Sequence, residues 1–170
     1  VLIDRTRDSP LAESVYREQS TVGVMLAHSP LHAQLIHSGE IWVMTSANLS
    51  DEPIAFANSD AWSRLRRIAD GFLFHDREIE TACDDSVIRV FDQSMLPIRR
   101  SRGYVPMPIQ LPGSFADHEE VLAVGGELKA TLCVVKGQNA FLGQHLGDVQ
   151  NRETFDALTR SARHLSRLYR

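Results

Sequence analysis

A short polar run near residue 46 follows an apolar stretch and has the side chains to bind a phosphate. Residues 41–45 are apolar up to Thr45, and Ser46, Ala47 and Asn48 come next. Open α/β sheets bind ligands where their strands end. The Ser46 hydroxyl, the Asn48 amide and the backbone N–H groups of such a loop are neutral donors suited to an anion. The same run ends at Pro53 and is also typical of a plain turn, so both interpretations stay open.

Three arginines form a second candidate site. Arg99, Arg100 and Arg102 surround Ser101 at the end of a predicted strand. Guanidinium groups bind phosphate oxygens two at a time and stabilise charge that develops in a transition state. The alternative is an edge strand whose cations discourage aggregation.

Two carboxylates precede Ser86 and are candidate magnesium ligands. Asp84 and Asp85 are adjacent, so an extended backbone turns them to opposite sides and only one can face a given site. A capped turn is the alternative for Asp84. Cys83 has no basic environment in the sequence that would make it a nucleophile.

A glycine pair begins a third polar segment. Gly125 and Gly126 follow a predicted strand and could bring the backbone close to a phosphate, with Lys129 supplying charge. The spacing matches neither a P-loop nor a dinucleotide-binding loop, and a tight turn is the alternative.

Among the histidines, His145 follows a strand in a polar loop and is a site candidate, whereas His28 and His32 are interpreted as structural or surface residues.

The elements that must position these residues alternate in type, which predicts an α/β fold. Ser29 followed by Pro30 predicts a helix start, and Gly39 predicts its end. The predicted helices are 30–37, 58–69 with its cap at Asn58–Asp60, and about 153–170. The predicted strands are 22–26, 41–45, 72–74, 86–91, 95–99, 121–124, 131–135 and 140–142, of which the fully apolar 41–45 is expected to be central.

Composition excludes several functional classes. The chain has 170 residues, 43% of them hydrophobic, and a formal charge of −4, so we do not expect nucleic acid as a partner. No apolar run is long enough to cross a membrane, and two distant cysteines predict neither a disulfide framework nor a zinc site, so we expect a cytoplasmic protein.

Prolines and acidic residues over 112–120 predict a linker between domains at 1–111 and 121–170. Because the first residue is Val, we expect a piece of a longer chain.

Taken in order, the motifs resemble one family. "TSANLSDEPI", with Ser46 and Asn48, resembles the S-x-N motif of YrdC-like domains, which bind ATP. "HDREIETACDDSVIRV", "RRSRGYVP", "GGELKAT" and "GQHLGD" follow in the order found in the HypF family, the carbamoyltransferases of nickel–iron hydrogenase maturation. The resemblance implies the C-terminal part of a YrdC-like twisted α/β sheet domain, joined to the first strands and helix of an actin-like ATPase-type transferase domain.

The resemblance also implies a chemistry. In that family carbamoyl phosphate is hydrolysed to carbamate, ATP converts carbamate to carbamoyl adenylate, and the carbamoyl group passes to the C-terminal cysteine of the partner HypE, as the precursor of the iron cyanide ligands. ATP and Mg²⁺ are the expected cofactors. Zinc belongs to parts of the family that this sequence does not contain, and no residue here is predicted to bind a metal.

The resemblance assigns residues to two nucleotide sites and names no catalytic residue. Ala130 and Gly143 depart from the expected asparagine and serine in the second site. The first site comprises Thr45, Ser46, Asn48, Ser86, Arg100 and Arg102, with the choice among Arg99, Arg100 and Arg102 left open. The second comprises Gly125, Gly126, Lys129 and His145.

Two alternatives stay open. One is a YrdC-type synthase that makes threonylcarbamoyl adenylate for tRNA modification, although "DEPI", "RRSRGYVP" and the sequence beyond Val121 fit HypF instead. The other is a non-catalytic module that docks a partner such as HypE. The isolated chain is expected to lack carbamoyl-adenylate activity.

Overall fold

The structure, a computed structural model, describes residues 1–50, 52–113, 120–150 and 152–169. The chain forms two compact units, one of residues 1–45 and 87–98 and the other of residues 46–86 and 99–170. Each contains a four-stranded sheet and helices, so the predicted mixed α/β class is confirmed.

The sheet of the first unit has the order β2-β1-β3-β4. Strand β1 runs antiparallel to β2 and parallel to β3. Asp92 and Gln93 join β3 to β4 with φ values of 47° and 59°, the left-handed pair that a two-residue hairpin turn requires. The elements are β1 (Leu2–Asp4), α1 (Glu13–Tyr16), β2 (Thr21–Gly23), α2 (Pro30–Leu35), β3 (Val87–Phe91) and β4 (Ser94–Arg99).

Helix α2 begins where the sequence predicts. The Ser29 hydroxyl accepts a hydrogen bond from the His32 N–H at 3.1 Å, and Pro30 occupies the first helical turn. The helix ends at Leu35, two residues before the predicted end. Gly39 then takes a φ of 89°, a conformation that glycine adopts without a steric penalty.

The predicted central strand at 41–45 is wrong. No described strand pairs with this segment, and Ile41 and Val43 are 64% and 70% exposed. Its apolar side chains satisfy the pattern of a buried strand, but a strand also needs a backbone partner along its length. Trp42 instead donates its indole N–H to the carboxylate of Glu40 at 3.1 Å.

The second unit contains the sheet β5-β8-β7-β6, in which every neighbouring pair is antiparallel. The predicted strands at 121–124, 131–135 and 140–142 and the last helix are confirmed, with bounds shifted by at most two residues. The elements are α3 (Asn58–Leu65), β5 (Ile109–Gln110), β6 (Val121–Val124), β7 (Leu132–Lys136), β8 (Asn139–Leu142) and α4 (Arg152–Leu168).

Helix α3 begins at the predicted residue, Asn58, but differs in its cap and at its C-terminal end. Ala57 is the N-cap and has no side-chain acceptor, and the Asn58 amide donates to the His75 carbonyl at 2.7 Å. The helix ends at Leu65, four residues before the predicted Ala69.

The predicted strand at 72–74 is also absent. Its aromatic rings contact each other and a helix residue: Phe72 lies 5.3 Å from Trp62 and 5.4 Å from Phe74 between ring centroids. Ring contacts hold the segment, and no described strand forms a ladder with it.

The core of the second unit lies between α4 and β7. Leu132, Val134 and Leu165 are buried together. A Cβ atom on Gly143 would lie 3.1 Å from the Leu165 side chain, so glycine suits a position where the resemblance leads one to expect serine. Phe155 and Leu168, which share the apolar spacing of α4, are 58% and 52% exposed.

The predicted linker at 112–120 lies mostly outside the described residues, since 114–119 are not described. Ile109 and Gln110, placed by the sequence in the first domain, pair with Ala140 and Asn139 of β8. The division at 111 and 121 stays a prediction. Among the described helices, none has the length and apolar character to cross a membrane.

Leu165→Ala is expected to lower the free energy of unfolding by about 2–5 kcal/mol, because it leaves a cavity against Leu132. Leu168→Ala, a half-exposed leucine on the same helix, is expected to change it by no more than about 0.5 kcal/mol. Urea unfolding of both variants measures the difference, and equal losses would contradict this account of the core.

Candidate functional site

A cavity of about 590 Å³ in the second unit collects several of the predicted site residues, and we call it the polar cavity. Three loops and one helix contribute to it. Its lining is Ser46, Asn48, Glu52, Pro53, Ile54, Ala82, Cys83, Asp84, Gln144, His145, Leu146, Gly147, Asp148, Gln150, Thr154 and Ala157.

The first wall is the loop that carries Ser46 and Asn48. The Ser46 hydroxyl donates to the Asn48 amide oxygen, and the Asn48 NH₂ donates to the carbonyls of Leu49 and Glu52 at 2.9 and 3.1 Å. The Ala55 N–H closes the loop on the Ala47 carbonyl at 2.8 Å. Ser46 and Asn48, the predicted phosphate-binding residues, therefore shape the loop through their mutual contact.

Thr45 is exposed and belongs to the first unit, and Asp51 lies outside the described residues.

Arg64 of α3 holds this loop, and the sequence analysis missed it. Its guanidinium contacts Glu52 at 2.7 Å, Asp60 at 2.8 Å and the Pro53 carbonyl at 2.7 Å. Burial alone lowers the pKa of Arg64, but the hydrogen bonds and charges of Asp60 and Glu52 outweigh burial and raise it. Asp60 four residues earlier was the available signal, whereas Glu52 lies too far along the chain to be paired from sequence.

Arg64→Ala is expected to speed amide exchange at Ala55 roughly tenfold, which corresponds to about 1.4 kcal/mol of local opening. The pairs to Glu52 and Asp60 are partly exposed and therefore screened, which keeps the effect below that of a buried pair. Hydrogen-exchange mass spectrometry measures it. Arg67→Ala, an exposed arginine just after the same helix, is the control, and an equal change there would contradict the assignment.

The second wall consists of residues 82–84, which contact Arg99 and Arg102. Arg99 pairs with the Asp84 carboxylate at 3.5 Å, and Arg102 donates to the Cys83 carbonyl at 3.1 Å. The Arg102 N–H also donates to the Asp84 carbonyl at 3.2 Å. None of Arg99, Arg100 and Arg102 lines the cavity itself, but Arg99 and Arg102 contact residues 83 and 84, which do.

Arg100 and Ser86 are placed away from the cavity. The Arg100 guanidinium donates to the carbonyls of Tyr104 and Met107 at 3.2 and 3.4 Å. The Ser86 hydroxyl donates to the Arg102 carbonyl and accepts from the Ser101 N–H, both at 2.8 Å. Ser101 is fully buried, so Ser86 joins the two segments that meet around it.

The third wall is the loop 144–148. Gln144 donates to the Ala82 carbonyl and to the Ser161 hydroxyl, both at 3.1 Å, and so connects the second wall to α4. The Thr131 hydroxyl anchors the loop by donating to the carbonyls of Gly143 and Gln144. Gln144 and Asp148 belong to the "GQHLGD" motif, but the sequence does not predict them as site residues, because only the fold brings them to the cavity.

Of the second predicted nucleotide site, only His145 lines the polar cavity. Gly125 donates its N–H to the Thr131 carbonyl at 2.9 Å, and a Cβ there would lie 3.1 Å from the Thr131 nitrogen. Gly126 has open space around it, and Lys129 takes a left-handed φ of 58°. The positive charge of Lys129 still acts on His145.

The environment of His145 favours its neutral form. Burial lowers its pKa, the charges of Arg99 and Lys129 lower it further, and Asp84 opposes them. Neutral imidazole can accept a hydrogen bond or a proton at neutral pH.

Arg99→Gln is expected to raise the pKa of His145, and Asp84→Asn to lower it, as measured by imidazole resonances during a pH titration. Because the folded protein resists protonation of His145, the unfolded chain takes up that proton first as pH falls below about 6.5. The contribution of His145 to stability is thus intact above that pH and decreases below it.

Arg102→Gln is the control for this titration, because Arg102 has no part in the shift of His145. A fall in the pKa of His145 on removal of Arg99 would contradict the assigned cause.

Comparison with known proteins identifies the family to which the chain belongs. Residues 1–101 match the Sua5, YciO and YrdC family, whose description is "Telomere recombination", and residues 116–170 match the HypF Kae1-like domain. The chain therefore belongs to the Sua5, YciO and YrdC family, and its second stretch matches a domain described from HypF.

The closer resemblance is to HypF, as the motifs predict. The chain is 41% identical to the carbamoyltransferase HypF of Synechocystis sp. over 99% of its own length, and 43% identical to that of Rhodobacter capsulatus over 86%. A crystal structure of full-length HypF in a phosphate- and nucleotide-bound form superposes with a TM-score of 0.89 at 37% identity and 99% coverage of this chain. The chain spans 22%, 20% and 26% of those three proteins.

Proposed function

We propose that the chain contributes the nucleotide-binding part of an ATP-dependent carbamoyl transfer in hydrogenase maturation. The observation that carries the proposal is the polar cavity, which is lined both by the Ser46–Asn48 loop and by the loop 144–148. The first lies in the stretch matching the Sua5, YciO and YrdC family and the second in the stretch matching HypF. The identity to enzymes named carbamoyltransferases supports the reaction class.

The proposed reaction begins with carbamate, formed with phosphate when carbamoyl phosphate is hydrolysed. A carbamate oxygen attacks the α-phosphorus of ATP, pyrophosphate leaves, and carbamoyl adenylate forms. The thiolate of the C-terminal cysteine of HypE then attacks the carbamoyl carbon, and AMP leaves. Neither step needs a nucleophile from this chain, so the required contribution is stabilisation of phosphate charge.

The chain's donors suit that task. Ser46, Asn48 and the neighbouring backbone N–H groups would bind phosphate oxygens as neutral donors. Arg102, on the carbonyl of Cys83, adds positive charge behind the second wall. Arg100 and Ser86 would contribute indirectly, by holding the segments on either side of Ser101.

Magnesium is expected with ATP, and one carboxylate of the cavity suits it. Mg²⁺ commonly uses one or two protein carboxylates together with substrate phosphates. Glu52 and Asp84 are engaged by Arg64 and Arg99, so Asp148 is the residue that would hold the ion. Within the described residues no group of three or more His, Cys, Asp or Glu side chains forms a metal site.

Cys83 and Cys133 are free thiols, which supports the cytoplasm as the proposed location.

Ser46→Ala or Asn48→Ala, made at the matching positions of a full-length HypF, is expected to reduce carbamoyl-phosphate-dependent ATP–pyrophosphate exchange about a hundredfold or more. Each substitution removes a donor to a phosphate oxygen, and Asn48→Ala also releases the carbonyls of Leu49 and Glu52. Exchange of labelled pyrophosphate into ATP measures the adenylation step directly.

Ser50→Ala is the matched control, because Ser50 belongs to the same loop but does not line the cavity. Normal exchange by the Ser46 and Asn48 variants would overturn the site. Exchange that depends on threonine and bicarbonate would favour the threonylcarbamoyl-adenylate alternative, and binding of HypE without any exchange would favour a docking module.

A further inference from the structure

A second cavity in the same unit, of about 730 Å³, is not used by the proposed reaction, and we call it the arginine cavity. One side is formed by α4 and the other by residues 80–82 and Phe56. Its titratable lining residues are Glu80, Arg160, Arg163, His164 and Arg167. Ligand cavities in proteins commonly have volumes of about 300–1,000 Å³, so the space suits a small molecule.

The arginines form one stripe of α4. Arg160, Arg163 and Arg167 are separated by three and four residues, the spacing that places side chains next to each other on a helix. All three are exposed, and none forms an ion pair with a carboxylate of a described residue. Glu80 is the one carboxylate among the described lining residues, so the lining carries more positive than negative side chains.

The helix dipole accounts for only part of this charge. Arg167 lies in the last turn of α4, where a cation is stabilised by the helix C-terminus. Arg160 lies eight residues before the helix end, beyond the reach of that effect. Arg152, by contrast, lies on the same helix outside the cavity and contacts Asp156 at 3.9 Å.

Small side chains leave room between the guanidinium groups. Ala157, Ser161, Ala162 and Ser166 of α4 line the cavity beside the arginines. Ser161 is buried and its hydroxyl is held by the Gln144 amide, so that part of the lining is fixed by a hydrogen bond. The result is a concave surface in which three guanidinium groups surround small residues. Among the described lining residues, Glu80 is the one carboxylate.

We propose that the arginine cavity binds a ligand that carries more than one phosphate group. Each guanidinium can bind two phosphate oxygens, so three guanidiniums need more oxygens than a single phosphate presents in suitable directions. These phosphate groups belong either to free pyrophosphate or to the phosphate chain of a nucleotide. The inference stands apart from the proposed function, because none of the arginines lines the polar cavity.

Calorimetric titration of the 170-residue chain with pyrophosphate tests the proposal. Saturable binding is expected, and the double variant Arg160→Gln with Arg163→Gln is expected to weaken it about tenfold or more, since it removes two charge-assisted contacts. Glutamine is a good helix former, and circular dichroism checks that α4 persists. Arg152→Gln is the matched control and is expected to change affinity less than about twofold.

Several outcomes would overturn the proposal. These are no saturable binding into the millimolar range, equal weakening by Arg152→Gln, binding of AMP as tight as that of pyrophosphate, or tighter binding of an oligoglutamate peptide. Loss of binding in Ser46→Ala but not in the arginine variant would also overturn it while leaving the proposed function standing. ATP binding that is tighter than pyrophosphate binding and sensitive to the arginines identifies a nucleotide as the source.

A second measurement needs no variant. Phenylglyoxal modifies accessible arginines, and pyrophosphate is expected to protect Arg160, Arg163 and Arg167 but not Arg152, as mapped by mass spectrometry. Equal protection of all four arginines, or of none, would overturn the proposal.

Discussion

The contact of Leu165 with Leu132 and Gly143 fixes the position of α4, and the rest of the second unit depends on it. Because α4 is held there, Gln144 can donate to Ser161 on the helix and to the Ala82 carbonyl in the loop opposite. Both cavities share this bridge: Ala82 and Gln144 line each of them. A small apolar core thus determines where two polar surfaces form.

Elements with strong local signals could be predicted from the sequence. Ser29 before Pro30 predicts a helix start because the hydroxyl and the ring both act within one turn. Strands β6, β7 and β8 follow one another through short connections, so their pairing needs no information from distant parts of the chain. The motif order predicted the resemblance to HypF, which the comparisons confirm.

The remaining features depend on contacts that sequence spacing does not reveal. The 41–45 segment has the composition of a buried strand, yet burial and pairing are set by which other strands are adjacent. Arg64 contacts Glu52 twelve positions away, and Arg99 contacts Asp84 fifteen positions away. These pairs hold Glu52 and Asp84, which line the polar cavity, so the motifs predicted the loops but not the contacts that hold them.

The bond from the Ser46 hydroxyl to the Asn48 amide oxygen has a consequence for anion binding. The Asn48 amide is also bonded to the carbonyls of Leu49 and Glu52, so three internal hydrogen bonds hold the shape of the loop. An anion bound at this loop would have to compete with the internal acceptor, so binding would transfer the Ser46 hydroxyl from one acceptor to another. Loss of the anion would restore the original bond, which favours reversible binding over retention.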